Sequence, residues 1–148
     1  LSLAAWARYA LLWGRFAGNI TLNAAFPWGI AVRGGVSKVN GDLRTLSLAS
    51  FAISGGASEV ALDLPQPSGV VTFRVVGGAS NIVLRRPAHS PVRIAVRGGS
   101  SRLTLDEQHF GGIGGNTHLE TPGASLSPDR YDVVIEGGAS NLTVERWS

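Results

Sequence analysis

The chain has 148 residues, 44% of them apolar and only 16% charged, which fits one ordered domain with a continuous core and excludes a disordered polar segment. It contains no cysteine, so disulfides, thiolate metal sites and cysteine nucleophiles are excluded. The net charge of +3 comes from thirteen basic residues, twelve of them Arg, against ten acidic ones.

The first residues lack the pattern found later. Leu3, Trp6, Tyr9/Ala10, Trp13 and Phe16 recur at spacings of three or four, and Gly14 and Gly18 mark the end of the pattern. This predicts a short helix over residues 1–17, read as a cap on the apolar end of the remaining domain, residues 18–148. A partner-binding or membrane-surface helix is the alternative, although Arg8 and Arg15 are few for anionic lipid. The apolar run Leu1–Trp13 is too short to cross a bilayer. A first residue that is Leu rather than Met reads as a piece of a longer protein.

From residue 34 one phrase recurs five times: GGVSKV at 34–39, GGASEV at 55–60, GGASNI at 77–82, GGSSRL at 98–103 and GGASNL at 137–142. The first four begin 21, 22 and 21 residues apart, a period that marks stacked repeats. Counting each copy from its first Gly as zero, aliphatic or aromatic residues stand at −4 and −2: Ile30/Val32, Phe51/Ile53, Phe73/Val75, Ile94/Val96 and Val133/Ile135. They return at +5 as Val39, Val60, Ile82, Leu103 and Leu142. Alternation with period two predicts strands, joined by Gly-Gly turns of positive φ. The serines at +3 (Ser37, Ser58, Ser80, Ser101, Ser140) share the parity of the aliphatic rows, which predicts a hydroxyl ladder inside the corners.

Outward positions before the turn are small or apolar at Ala31, Ala52, Val76, Ala95 and Val134, predicting a dry face covered by the N-terminal helix or by a second copy of the chain. After the turn, Lys38, Glu59, Asn81, Arg102 and Asn141 predict a wet face. Residues 107–130 read as one irregular winding plus a loop, Thr121–Asp129, making about six windings in all.

Charge is uneven along the chain. Residues 64–105 carry Arg74, Arg85, Arg86, Arg93, Arg97 and Arg102 without a carboxylate, and residues 106–148 carry seven carboxylates against Arg130 and Arg146. If repeats stack in sequence order, the result is a basic middle and an acidic far end, able to steer a partner or favour head-to-tail contact. Arg scattered over a solvated surface is the plainer reading.

Candidate chemistry is sparse. His109 and His118 flank FGGIGGNT, which lacks the Lys-Ser/Thr of a phosphate loop and reads as a turn. The two histidines with Asp106, Glu107 or Glu120 match no strong metal-ligand spacing. Asp63 and Asp106 sit at +8 of non-adjacent copies with Arg85 between them, a poor acid/base pair for polysaccharide cleavage. The Arg belt lacks interleaved aromatics, which argues against nucleic acid. No catalytic, cofactor or metal residue is expected, and the chain reads as non-enzymatic.

The phrases PWGIAVRGGVSKV, GGASEVALDLP, GGASNIVLRRP, GGSSRLTLD and RYDVVIEGGASNLTVE resemble the bacterial toast-rack domains, among them the C-terminal domain of cell-wall-active-antibiotic response proteins and the related putative adhesin domain. The resemblance covers about residues 18–148. It implies an all-β, single-stranded β-solenoid without catalytic residues, in a bacterial envelope-associated or cytoplasmic regulatory protein. The expected role is a protein-interaction module in stress response, offering the dry face or the Arg belt to a protein partner. A self-assembling, bactofilin-like scaffold or an adhesin is the alternative, and a homo-oligomer fits either.

Overall fold

A computed structural model describes residues 8–13 and 27–147. The elements are β1 (Arg8–Trp13), β2 (Pro27–Arg33), β3 (Val36–Asp42), β4 (Ser47–Ser54), β5 (Ala57–Asp63), β6 (Val70–Val76), β7 (Ala79–Pro87), β8 (Val92–Arg97), β9 (Ser100–Leu105), β10 (Gln108–Ile113), β11 (Asn116–Glu120), β12 (Arg130–Glu136) and β13 (Ala139–Trp147). One 3-10 turn, Ala124–Leu126, lies between β11 and β12.

The molecule is all-β and built of two sheets. One has the order β1-β2-β4-β6-β12-β8-β11 and the other β10-β9-β13-β7-β5-β3. Each Gly-Gly phrase joins a strand of the first sheet to one of the second, so the five copies form five layers: β2–β3, β4–β5, β6–β7, β8–β9 and β12–β13. All pairings between layers are parallel. Equivalent aliphatic residues therefore stand in register, as in the row Ile30, Phe51, Phe73, Val133, Ile94. All are buried, and Phe51 stacks on Phe73 at 5.2 Å between ring centroids. The facing row Val39, Val60, Ile82, Leu142, Leu103 closes the core from the other sheet. Burial of these rows supplies the main driving force for stacking.

Layers do not stack in sequence order. The fifth copy, β12–β13, lies between the third and the fourth. The chain reverses after β9 at Asp106, where φ is 53°, and β10 runs back antiparallel on β9. It crosses through Gly112–Gly115 to β11, antiparallel on β8, and loop 121–129 returns it to the open edges between β6–β7 and β8–β9. The expectation that sequence order becomes axial order is therefore corrected. The irregular winding at 107–130 is this antiparallel layer with its return loop.

Residues 8–13, expected within a helix, instead form strand β1, parallel on β2. The open edge of β2 offers a full row of backbone partners, whereas a helix of about 16 residues is marginal by itself. The rest of the expected cap, residues 1–7 and 14–17, lies outside the described residues. Among the described residues, no helix is long and apolar enough to cross a membrane.

At the corners, both glycines have positive φ in four copies, for example 103° and 86° at Gly77 and Gly78. A Cβ on Gly77 would stand 2.9 Å from the Gly56 nitrogen of the next layer. Glycine is required there for conformation and for the approach of stacked backbones.

Candidate interaction surfaces

The serines are not inside the corners. Each ladder pairs the +2 residues (Val36, Ala57, Ala79, Ala139, Ser100), skips the serine and resumes at +4, as in Ala57↔Ala79 followed by Glu59↔Asn81. The chain bends at the serine, and the period-two count breaks there. Both Ala79 and Ile82 then turn inward, three residues apart, while Ser80 faces solvent. Small residues at +2 in four of the five copies were the sequence signal for this bend.

The exposed serines and glycines form one open groove of about 900 Å³ that runs across the layers. In spatial order its serines are Ser37, Ser58, Ser80, Ser140 and Ser101, neighbours being one strand spacing apart, about 4.8 Å. The first corner glycine and the +2 amide bond to carbonyls of the next layer, as Gly55 N to Val76 O and Ala57 N to Gly78 O. These bonds tie the groove floor into a continuous backbone ladder.

The dry face is only partly as expected. Ala31, Ala52, Val134 and Ala95 share a row on the first sheet, but Arg74 occupies the place between Ala52 and Val134. Val76 belongs to the next row, beside Ser54 and Glu136, because it stands at −1 of its copy rather than −3.

The Arg belt is largely neutralised by the inserted layer and its neighbours. Glu136 accepts from Arg74 Nε at 3.0 Å and from Arg97 Nη1 at 3.0 Å, joining the third and fourth layers. Hydrogen bonding from Arg74, then the charges of Arg74 and Arg97, hold the Glu136 carboxyl below its ordinary value despite partial desolvation. Arg85 lies 2.7 Å from Asp63, and Arg93 lies 3.6 Å from Glu120. Arg86, only 2% exposed, forms a bidentate pair with Asp106 at 2.8 and 2.9 Å. Arg102 is exposed and has no ion pair among the described residues. Four arginines of the basic middle, Arg74, Arg86, Arg93 and Arg97, thus pair with carboxylates of the acidic end, while Arg85 pairs with Asp63 of the neighbouring β5.

The inserted layer is also held by polar contacts to the loop after β5. Tyr131 Oη donates to Pro65 O, Trp147 Nε1 donates to Leu64 O at 3.0 Å, and the Gly69 amide donates to Asp129 Oδ1 at 2.6 Å. Burial pushes the Tyr131 phenol above its ordinary pKa.

His109 on β10 is 3.1 Å from Thr104 Oγ1, His118 on β11 is 3.9 Å from Glu120, and His89 is exposed. FGGIGGNT is the corner joining β10 to β11. Asp63 and Asp106 are engaged with different arginines. Among the described residues, no group of three His, Asp or Glu side chains converges as a metal site.

No protein-family model and no curated protein matches the chain in sequence. The chain is similar in fold to the crystal structure of a protein described as a putative cell adhesion protein from Clostridium sporogenes, with a TM-score of 0.66 and 18% identity. The match covers 88% of this chain and 66% of that one, so the chain shares its fold with that structure over somewhat less than two thirds of the latter's length.

Proposed function

We propose that this chain is a non-catalytic interaction module of the adhesin kind, a β-solenoid that presents one repeated corner surface to a partner. The observation that carries the reading is the groove in which Gly-Gly-x-Ser corners of five layers join into a single surface. A repeat-built ladder provides a rigid platform, and exposed hydroxyls along it offer hydrogen bonds at a regular interval. The fold likeness to a protein described as a putative cell adhesion protein favours the same class. The GGAS-x-aliphatic corners keep the toast-rack resemblance as the family reading, with a partner in a bacterial envelope. End-to-end scaffolding is the less favoured reading, because the antiparallel β10 and β11 interrupt the parallel ladder at one end.

The test is capture of envelope proteins from a bacterial lysate on beads carrying the chain. The double variant Ser58→Arg/Ser80→Arg fills the groove without entering the core and should abolish specific capture. Ala52→Arg, on the first sheet, should leave it intact. Capture lost only with Ala52→Arg would move the interface to the sheet face and overturn the groove.

A further inference from the structure

Four aliphatic rows run through the repeat layers, and each ends on β10 or β11. Two rows end on apolar side chains: Phe73, Val133 and Ile94 lead to Leu119, and Ile82, Leu142 and Leu103 lead to Phe110. The other two end on polar ones: Val75, Ile135 and Val96 lead to Thr117, and Leu84, Val144 and Leu105 lead to Gln108. Ile94, Val96 and Leu103 under this layer are fully buried, whereas Phe110 and Leu119 are half-buried and Gln108 is exposed. Strand direction changes at the same place. Pairings between repeat layers are parallel, but β10 lies antiparallel on β9, and β11 antiparallel on β8. Among the described residues, β10 and β11 are the last strands of their sheets at this end. β10 bends at Gly112, where φ is 61°, and β11 has only five residues.

We propose that residues 107–120 are a terminal cap that keeps a second copy of the chain off this end of the stack. The repeat layers accept neighbours on both sides, as β12–β13 does between β6–β7 and β8–β9. Uncapped, β8 and β9 would present two open strand edges and four aliphatic row ends, and open edges capture strands. A stack of repeats needs a terminal unit with a polar outer side to stay soluble. Residues 107–120 supply that unit. Phe110 and Leu119 seal two rows, while Thr117 and Gln108 offer a further layer nothing apolar. The edges exposed in their place are poorer templates, because the glycines inside β10 and its bend at Gly112 weaken pairing. The inference is independent of what binds the corner groove.

The test compares two full-length variants with wild type. Phe110→Asp/Leu119→Asp sets carboxylates against the core and should lift the cap from β8 and β9. Gln108→Leu/Thr117→Val leaves the cap seated and makes all four rows end on apolar side chains. In light scattering, the average mass of each variant should rise with protein concentration to at least twice that of wild type under the same conditions. Hydrogen exchange of the first variant should quicken in residues 108–120, while β8 and β9 stay protected by the second copy. A synthetic peptide of residues 107–120, added in excess, should return the first variant to the wild-type mass. If circular dichroism shows the first variant unfolded, the second decides alone. A wild-type mass in either folded variant overturns the proposal, and so does association of the first variant that the peptide leaves unchanged.

Discussion

Arg86 and Asp106 form a bidentate ion pair although β13 lies between the strands that carry them. Arg86 leaves the end of β7, donates its Nε to Ser90 O at 2.9 Å, and turns both Nη atoms to the carboxylate just beyond β9. The pair clamps the inserted layer in place. Removing one member strands a buried charge, which costs more than the pair contributes. Asp106→Asn keeps tolerance of the positive φ, removes the charge and replaces one of the two oxygens that accept from Arg86 with an amide donor. It should destabilise the fold by about 3 kcal/mol, read as a lower urea midpoint at unchanged slope. An unchanged midpoint would show that the clamp adds nothing.

Acid should unfold the protein through the same carboxylates. Asp106 is held below its ordinary 3.8 by hydrogen bonds from Arg86, then by the charges of Arg86 and Arg146, against desolvation. Glu136 is likewise held below 4.5 by Arg74 and Arg97. Asp42 is lowered to about 2 by hydrogen bonds from Arg44. A lowered folded-state pKa means that the unfolded chain takes up protons first as pH falls. The stabilisation is complete above the unfolded values, and it is lost as pH drops through the folded ones. Thermal midpoints should be level near neutrality and fall below about pH 4, with a smaller fall in Asp106→Asn. A wild-type curve parallel to that of the variant would remove Asp106 from the acid response.

The corner glycines should separate into two classes. Gly77→Ala places a Cβ 2.9 Å from the Gly56 nitrogen at a φ of 103°. It should cost about 1–3 kcal/mol. Gly111→Ala, with nothing within 4 Å and no positive φ, should stay within about 0.5 kcal/mol of wild type. Equal losses in chemical denaturation would mean that the layers are less tightly stacked than described.

Tyr131→Phe should reveal the tie between the inserted layer and the loop after β5. The ring stays buried, but Pro65 O loses its donor. A loss of about 1–3 kcal/mol is expected in equilibrium unfolding. Hydrogen exchange should quicken first in residues 130–136. Uniform quickening would place the effect on global stability instead.

Much of the core was legible in the sequence because burial follows period two within each strand. Phe73 and Val75, or Ile82 and Leu84, fall inside as the alternation requires. The parity failed at Ser80 because a bend consumes one residue, and counting through it carries the wrong sign onto the serine. The helix expected near the N-terminus failed at residues 8–13 because an aromatic spacing of three or four competes poorly with the backbone edge of β2. The place of Val76 followed from counting −1 as −3, and the register corrects it. The uneven charge was visible, but its purpose was not. Glu136 stands 62 residues from Arg74, and only pairing brings them together.

The sequence by itself determined that the repeated region is built of strands, where its glycine corners fall and which aliphatic rows are buried, since local periodicity and backbone sterics act over a few residues. The tertiary structure alone decided the order of the layers, the outward turn of the serines and the pairing of basic middle with acidic end. Parallel strands with matching side chains accept several neighbours equally well, and the choice among them is made by ion pairs and caps that join distant parts of the chain.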